Sequence, residues 1–246
     1  MTEVPVEGPV PRFELVEWRE QFGVVAGITG RGSAASPFDL GLAGTTTPVA
    51  TVLDNWQELQ HCLPAFCGLI VSRQVHGTQI LWHDAGCGLV IREGADGHAT
   101  DAPGLLLAVT AADCIPIYCL DPERRAIALL HAGWRGVAAG VLTQGIRLLT
   151  QHGCRVENLL VHCGVGICGL CYEVGSEVFA GCGVAAPPGG KGPLDLRRLL
   201  ETQAVNMGVK SVSTSQFCSR HDPGFFSHRG SGGADGRMVA YLGLLV

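Results

Sequence analysis

The chain has 246 residues, of which 47% are hydrophobic and 16% are charged, and its formal net charge at pH 7 is −5. A chain of this length can bury a sizeable core without needing a metal or a disulfide in order to fold. The acidic balance and the lack of Lys/Arg runs argue against nucleic acid or an anionic membrane surface as a partner. No apolar stretch approaches the length of a membrane span.

The cysteine content and the N-terminal segment indicate a cytoplasmic protein. Eleven cysteines, an odd number spread along the chain, predict reduced thiols. Residues 1–12 contain three prolines and two acidic residues but no apolar targeting core, so we expect a flexible tail there.

Apolar patterns place the remaining elements along the chain. They predict strands at 22–28, 66–75, 78–82, 105–110, 126–130, 159–162 and 238–246, and helices at 48–62, 137–152 and 195–207. We expect 78–82 to pair back on 66–75 across the turn at Gly77. The short strand spacing between 66 and 131 is unlike regular βαβ alternation. We therefore expect residues 13–246 to form a single α+β domain of mixed, largely antiparallel sheets flanked by helices.

Three predicted strands end in a side chain that can bind a metal or act as a nucleophile. His76 follows 66–75, Cys114 follows 105–110 after an Ala-Ala-Asp turn, and His131 follows 126–130. Taken alone, Cys114 or His131 is equally compatible with a plain core residue. Together the three match the imidazole and thiolate ligands of zinc, with the fourth position left for water or substrate. The same residues also allow a cysteine hydrolase, with Cys114 as nucleophile and His131 or His76 as base. Spacing alone does not show whether they meet in space.

Several other motifs remain ambiguous or lack the context they need. Residues 164–169 spell GxGxxG, but glycines interrupt the residues that follow, and no second strand with a ribose-binding acid comes at the distance typical of dinucleotide-binding folds. We therefore interpret the motif as a turn. Cys168 and Cys171 form a CxxC without a second such pair, which favours packed thiols. His83 and His98 lie in polar, glycine-rich stretches and are expected at the surface.

Glycine-flanked arginines are the candidate anion ligands. Arg31 lies in a Gly-Arg-Gly turn, and Arg229 and Arg237 lie in a glycine-rich segment near the C-terminus. Such arginines suit a phosphate or carboxylate. A solvated loop is an equally good interpretation of each.

Longer motifs resemble a known family. QVHG at 74–77, TDAPG at 100–104, TAADCIPIYCLD at 110–121 and HAGWRG at 131–136 resemble the signature of the YfiH/DUF152 family, also called the polyphenol-oxidase or laccase-domain family. The resemblance extends from about Phe22 to the C-terminus. His228 departs from it, because members often have tyrosine there.

The resemblance implies a zinc-dependent purine nucleoside phosphorylase that accepts adenosine, inosine and methylthioadenosine and also deaminates adenosine. Its substrates would be a purine nucleoside and phosphate. Carried over residue by residue, the metal ligands and catalytic centre fall on His76, Cys114 and His131. Asp113 would orient a ligand or shuttle a proton. The candidates for holding phosphate are Arg31, Arg135, Arg229 and Arg237.

Two other functions stay open beside the phosphorylase and the cysteine hydrolase. The family's older label is a copper laccase, and two histidines with one cysteine are also the ligands of blue copper. None of the nine histidines forms the His-x-His pair of a trinuclear copper cluster, so we expect zinc rather than copper. Some relatives carry the label peptidoglycan editing factor, which would imply a non-enzymatic cell-envelope role. The sequence does not indicate an oligomeric state.

Overall fold

A computed structural model describes residues 2–33, 35–42 and 46–246, and these form fifteen strands and seven α-helices. The strands are β1 (Val4–Val6), β2 (Arg12–Glu14), β3 (Val24–Thr29), β4 (Gly68–Arg73), β5 (Ile80–Trp82), β6 (Gly88–Glu93), β7 (Gly97–Thr100), β8 (Leu105–Ala111), β9 (Ile115–Asp121), β10 (Ala126–Ala132), β11 (Leu160–Cys163), β12 (Glu173–Gly175), β13 (Lys191–Pro193), β14 (Ser211–Thr214) and β15 (Met238–Leu244). The helices are α1 (Val16–Phe22), α2 (Val49–Cys62), α3 (Trp134–Ala139), α4 (Val141–Gln151), α5 (Ser176–Gly181), α6 (Leu196–Asn206) and α7 (His228–Ser231).

The strands of the described residues assemble into two large sheets and one small one. The first sheet has the order β1-β2-β3-β15-β8-β4-β6, the second has the order β14-β11-β9-β10-β7-β5, and β12 pairs with β13. Antiparallel pairs outnumber parallel ones, which occur at β8-β4, β4-β6, β14-β11 and β7-β5. The predicted mixed, largely antiparallel α+β architecture is confirmed. Across the described ranges, no helix is long and apolar enough to cross a membrane.

The two large sheets pack face to face, and this packing makes both faces of the central strands apolar. Along β9, Tyr118 and Leu120 point into the core shared with β8 and β15, whereas Ile117 and Cys119 point to the core under α4 and α6. Burial on both faces explains the unbroken apolar run of this strand. On the far side of the first sheet, α2 packs through residues such as Trp56.

The chain crosses from the first sheet to the second three times within about forty residues. The crossings are the links β4–β5, β6–β7 and β8–β9. This is why 78–82 does not pair back on its predecessor: β5 instead pairs in parallel with β7 in the other sheet. His76 has a positive φ of 59° in the first link, which turns the chain away from the hairpin path.

Two further predictions differ from the structure. The predicted helix 137–152 is two helices that meet at Gly140, where a φ of 83° interrupts the helical path. The flexible tail expected at 1–12 is wrong for residues 4–6, which form the edge strand β1 against β2. An edge strand tolerates Pro5, and Glu3 is buried against His162, with 3.0 Å between the Glu3 Oε1 and His162 Nε2 atoms. Met1 lies outside the described residues.

Candidate metal centre and its cavity

The structure brings His76, Cys114 and His131 together. Their ligand atoms all lie within 4.8 Å of one another, and the Cys114 Sγ atom is 3.9 Å from the His76 Nε2 atom. His131 belongs to β10 and is buried, Cys114 in the β8–β9 link is partly exposed, and His76 is exposed. The cluster therefore has a buried side and an open side.

Asp96, in the β6–β7 link, joins two of these side chains and was not singled out from the sequence. Its Oδ1 atom accepts hydrogen bonds from His131 Nδ1 at 3.0 Å and from the His76 backbone N–H at 2.8 Å. Its Oδ2 atom accepts from the backbone N–H groups of Gly77 at 2.7 Å and Val75 at 3.2 Å. The bond to Nδ1 leaves Nε2 of His131 for the cluster, as expected of a carboxylate that orients a metal-binding histidine. The only sequence feature that could have indicated Asp96 is its place as an acid in the glycine-rich turn before Gly97.

The electrostatics of the three residues favour a charged thiolate. Burial by itself raises the pKa of Cys114, but His131, and after it His76, lower that pKa to about 6. Burial by itself lowers the pKa of His131, but the Cys114 charge and the Asp96 hydrogen bond raise it to about 9. The thiolate is the metal-binding form of cysteine, so this lowered pKa favours the form in which Cys114 could bind a metal.

Gly133 leaves room for the cluster. A Cβ atom at this position would lie 2.9 Å from the His76 Cδ2 atom and 3.0 Å from the Cys114 Sγ atom. Its φ of −78° is open to other residues. The lack of space for a Cβ atom, rather than backbone conformation, therefore accounts for glycine at position 133 of the HAGWRG motif.

Asp113 lies beside the cluster but turns its carboxylate elsewhere. Its Oδ1 atom accepts from the hydroxyls of Ser219 at 2.6 Å and Ser227 at 2.7 Å, and its Oδ2 atom accepts from the Arg229 backbone N–H at 2.6 Å. The residue has a positive φ of 85°. These bonds fix the turn that presents Cys114, and Asp113 does not line the cavity.

A cavity of about 550 Å³ opens above the three residues. Gln74 supports its wall, since the side chain donates to the Thr110 carbonyl and accepts from the Thr110 N–H. The lining consists of Leu42, Ser72, Arg73, Gln74, His76, Ile91, Glu93, Thr110, Ala112, Cys114, His131, His228 and Arg237. The volume falls within the range of small-molecule sites.

Of the four candidate arginines, the structure brings only Arg237 to this cavity. Its Nη1 atom donates to the carbonyl oxygens of Asp235 and Gly236, which holds the side chain in place. The guanidinium groups of Arg31, Arg135 and Arg229 lie against Asp235, the Trp134 ring and the Glu173 carbonyl, respectively.

His83 and His98 are buried, contrary to the surface position expected from their polar neighbours. The His98 Nε2 atom lies 3.1 Å from the Ser72 hydroxyl, and the His98 Nδ1 atom lies 2.9 Å from His83 Nε2. Burial lowers the pKa of His98 to about 3. The pair is thus a neutral hydrogen-bonded chain that supports Ser72 at the cavity wall.

A family model described as "Multi-copper polyphenol oxidoreductase laccase" matches residues 27–245. The chain therefore belongs to this family, and the resemblance stated from the motifs is confirmed. It is 36% identical to a purine nucleoside phosphorylase of Deinococcus radiodurans over 70% of this chain and 68% of that protein. It is 32% identical to the purine nucleoside phosphorylase YlmD of Geobacillus stearothermophilus over 90% of both. It is 33% identical to the adenosine deaminase RL5, from an unknown prokaryotic organism, over 59% of this chain and 60% of that protein.

Solved structures show the same fold. YlmD of Geobacillus stearothermophilus has a TM-score of 0.88 and 28% identity over 99% of this chain and 100% of that chain. YfiH of Bacillus licheniformis has a TM-score of 0.87 and 25% identity over 97% of both chains.

The family description names copper, and the donor atoms of the cluster indicate which metals would fit this site. Imidazole nitrogen and thiolate sulfur fit zinc as well as a single blue-copper ion. Over the described part of the chain, the one other group of three or more potential metal ligands is Cys168, Cys171, Cys218 and His221. This group is not the histidine-rich set that a cluster of several copper ions needs.

Proposed function

We propose that this chain is a zinc-dependent purine nucleoside phosphorylase that also deaminates adenosine. One observation carries the proposal: two imidazoles and one thiolate converge at the floor of a cavity of nucleoside size. The names of the relatives support the substrate class. Inosine, adenosine and methylthioadenosine are the nucleosides to test.

In this proposal His76, Cys114 and His131 hold the zinc ion. Zinc bound there supplies a Lewis acid next to the substrate. Asp96 keeps His131 in the tautomer whose Nε2 atom faces the cluster, and it fixes the backbone at His76.

The cavity offers separate polar and apolar surfaces for the two substrates. Arg237 and the exposed His228 supply the hydrogen-bond donors for phosphate, since a guanidinium group matches phosphate geometry. Leu42 and Ile91 expose apolar surface in the same cavity, which we assign to the flat purine ring.

Phosphorolysis then requires positioning rather than a covalent enzyme intermediate. An oxygen of hydrogenphosphate bonds to ribose C1′ while the bond from C1′ to purine N9 breaks. The electron pair leaves on the purine, which takes up the proton that the hydrogenphosphate gives up. Asp113 does not serve as the proton donor in this scheme, because its carboxylate oxygens already accept three hydrogen bonds away from the cavity.

The test is turnover by the purified, zinc-loaded chain. We expect phosphate-dependent release of hypoxanthine from inosine, and formation of inosine from adenosine when phosphate is omitted. Cys114→Ala should lower both by at least about 100-fold, because removing a ligand exceeds the effect of removing a residue that orients one. Cys87→Ala is the matched control, since Cys87 is an exposed free cysteine outside the cavity. Equal activity of the two variants would contradict the proposal.

A cysteine hydrolase is the second candidate, and Asp96 is the observation that favours it. Without metal, Cys114, His131 and Asp96 have the order of a nucleophile, a base and the carboxylate that orients the base. His76 argues for the metal, because a hydrolase does not need a second imidazole beside the thiolate. Activity that survives a chelator, together with alkylation of Cys114 that abolishes it, would favour the hydrolase.

A further inference from the structure

A second group of potential metal ligands lies outside the cavity. Cys168 and Cys171 belong to the loop between β11 and β12, and Cys218 and His221 belong to the loop between β14 and α7. The four ligand atoms all lie within 4.8 Å of one another. The His221 Nδ1 atom is 3.5 Å from the Cys171 Sγ atom and 4.0 Å from the Cys168 Sγ atom.

These distances match a tetrahedral zinc site. Zinc bonds of about 2.3 Å to sulfur and about 2.0 Å to nitrogen place sulfur and nitrogen ligands about 3.5 Å apart, and two sulfurs about 3.8 Å apart. The sequence pattern agrees, because a CxxC pair is completed by the CxxH pair of Cys218 and His221. A search for a second CxxC overlooks this pair, which is why packed thiols were expected.

The surroundings of the four residues also fit bound metal. The backbone N–H of Cys168 donates to the Cys218 sulfur at 3.3 Å. The Asp222 carboxylate accepts from the Cys218 backbone N–H and lies 3.9 Å from the His221 Nε2 atom. At this distance the carboxylate is an ion-pair neighbour of the imidazole and not a hydrogen-bond partner, and it lies on the side of the ring where carboxylates support metal-binding histidines.

We propose that Cys168, Cys171, Cys218 and His221 bind a structural zinc ion. Four protein ligands close the coordination sphere, so this ion has no position for substrate. None of the four residues lines the cavity. The site is therefore distinct from the cluster at His76 and goes beyond the proposed function.

The zinc ion would fasten two loops that hold the turn before Cys114. From one loop, the Ile167 N–H donates to the Asp113 carbonyl at 2.8 Å. From the other, the Ser219 hydroxyl donates to the Asp113 carboxylate, and its N–H donates to the Gly166 carbonyl at 3.0 Å. The ion thus stabilises the presentation of Cys114 without touching the substrate.

Metal content by mass spectrometry of the full chain, purified in the presence of zinc, tests the proposal. We expect two zinc ions per wild-type chain, one in Cys114→Ser, and one in the double variant Cys168→Ser/Cys171→Ser. Cys182→Ser is the control and should keep two, since Cys182 is a half-buried cysteine outside both groups. Two ions in the Cys168/Cys171 double variant would overturn the proposal.

Alkylation of the wild-type chain gives a second readout if the double variant does not fold. With zinc bound, N-ethylmaleimide should label the exposed Cys87 but spare Cys168, Cys171 and Cys218. In a separate experiment, cobalt bound in place of zinc to the Cys114→Ser variant should give thiolate charge-transfer absorption. Equal labelling of Cys87 and Cys171 in the zinc-loaded protein, or a disulfide between Cys168 and Cys171, would refute the site. Neither readout measures phosphorylase activity, so failure here is separate from failure of the proposed function.

Discussion

Replacing Asp96 with asparagine removes one of the two oxygens that orient His131 and the backbone of His76 in the candidate metal centre. If the amide nitrogen takes the Oδ1 position, it faces the N–H groups of His131 and His76. If it takes the Oδ2 position, it faces those of Val75 and Gly77. The first orientation leaves the His76 N–H without an acceptor once His131 changes its tautomer, and the second leaves the N–H groups of Val75 and Gly77 without one, at a cost of about 1–3 kcal/mol for each such donor. The free energy of unfolding should therefore fall by about 1–6 kcal/mol.

Zinc binding should weaken as well. In the first orientation, the His131 ring would move its proton to Nε2 and lose that atom as a ligand. In the second, the backbone that carries His76 would shift. Residues that orient a metal ligand typically contribute 10- to 100-fold in affinity. Competition with a chromophoric chelator measures this loss, and circular dichroism shows whether the variant is folded.

A matched control exists at Asp121, the last residue of β9, at the other end of this strand from Cys114. Asp121 is also a buried acid, and it accepts from the backbone N–H groups of Glu123, Arg124 and Arg155. Asp121→Asn should lose comparable stability but bind zinc at His76 and its partners as the wild type does. A folded Asp96→Asn with wild-type zinc affinity would refute the reasoning, as would an equal loss of affinity in Asp121→Asn.

Two other substitutions test the space around the cluster and the N-terminal strand. Gly133→Ala should lower zinc occupancy, because the added carbon meets His76 and Cys114 at 2.9 and 3.0 Å. The melting temperature should stay within a few degrees of the wild-type value. Metal analysis that shows full occupancy would contradict this prediction. Glu3→Gln should destabilise the chain at neutral pH. Burial by itself raises the pKa of Glu3, but the hydrogen bond from His162 leaves it lowered, so its stabilisation is present above the unfolded-state pKa and disappears as the pH falls through the lower folded value. Urea unfolding of the wild type and of Glu3→Gln at pH 7 and pH 3 measures the difference in the free energy of unfolding, which should shrink at pH 3; a constant difference would count against stabilisation by the ionised Glu3 carboxylate.

Local pattern singled out His76, Cys114 and His131 as candidate metal ligands, and it predicted most of the central strands. Strands such as β8 and β10 are apolar on both faces, so they are evident as continuous runs. Cys114 follows β8 after a short turn, and His131 lies near the end of β10, just before Gly133. The polar and irregular strands at the edges of the sheets were less evident from the sequence. Strand β1 contains a proline and only gains its place by pairing with β2.

The tertiary structure decided which distant residues support those ligands. Asp96 lies about twenty residues from His76 and thirty-five from His131, and it reaches both because the chain crosses between the sheets at each link. The same non-local packing sets Cys218 and His221 beside Cys168 and Cys171, and it brings Arg237 rather than Arg31 to the cavity. Sequence spacing determines which side chains are available at strand ends, whereas the pairing of strands and the packing of the sheets determine which of them meet.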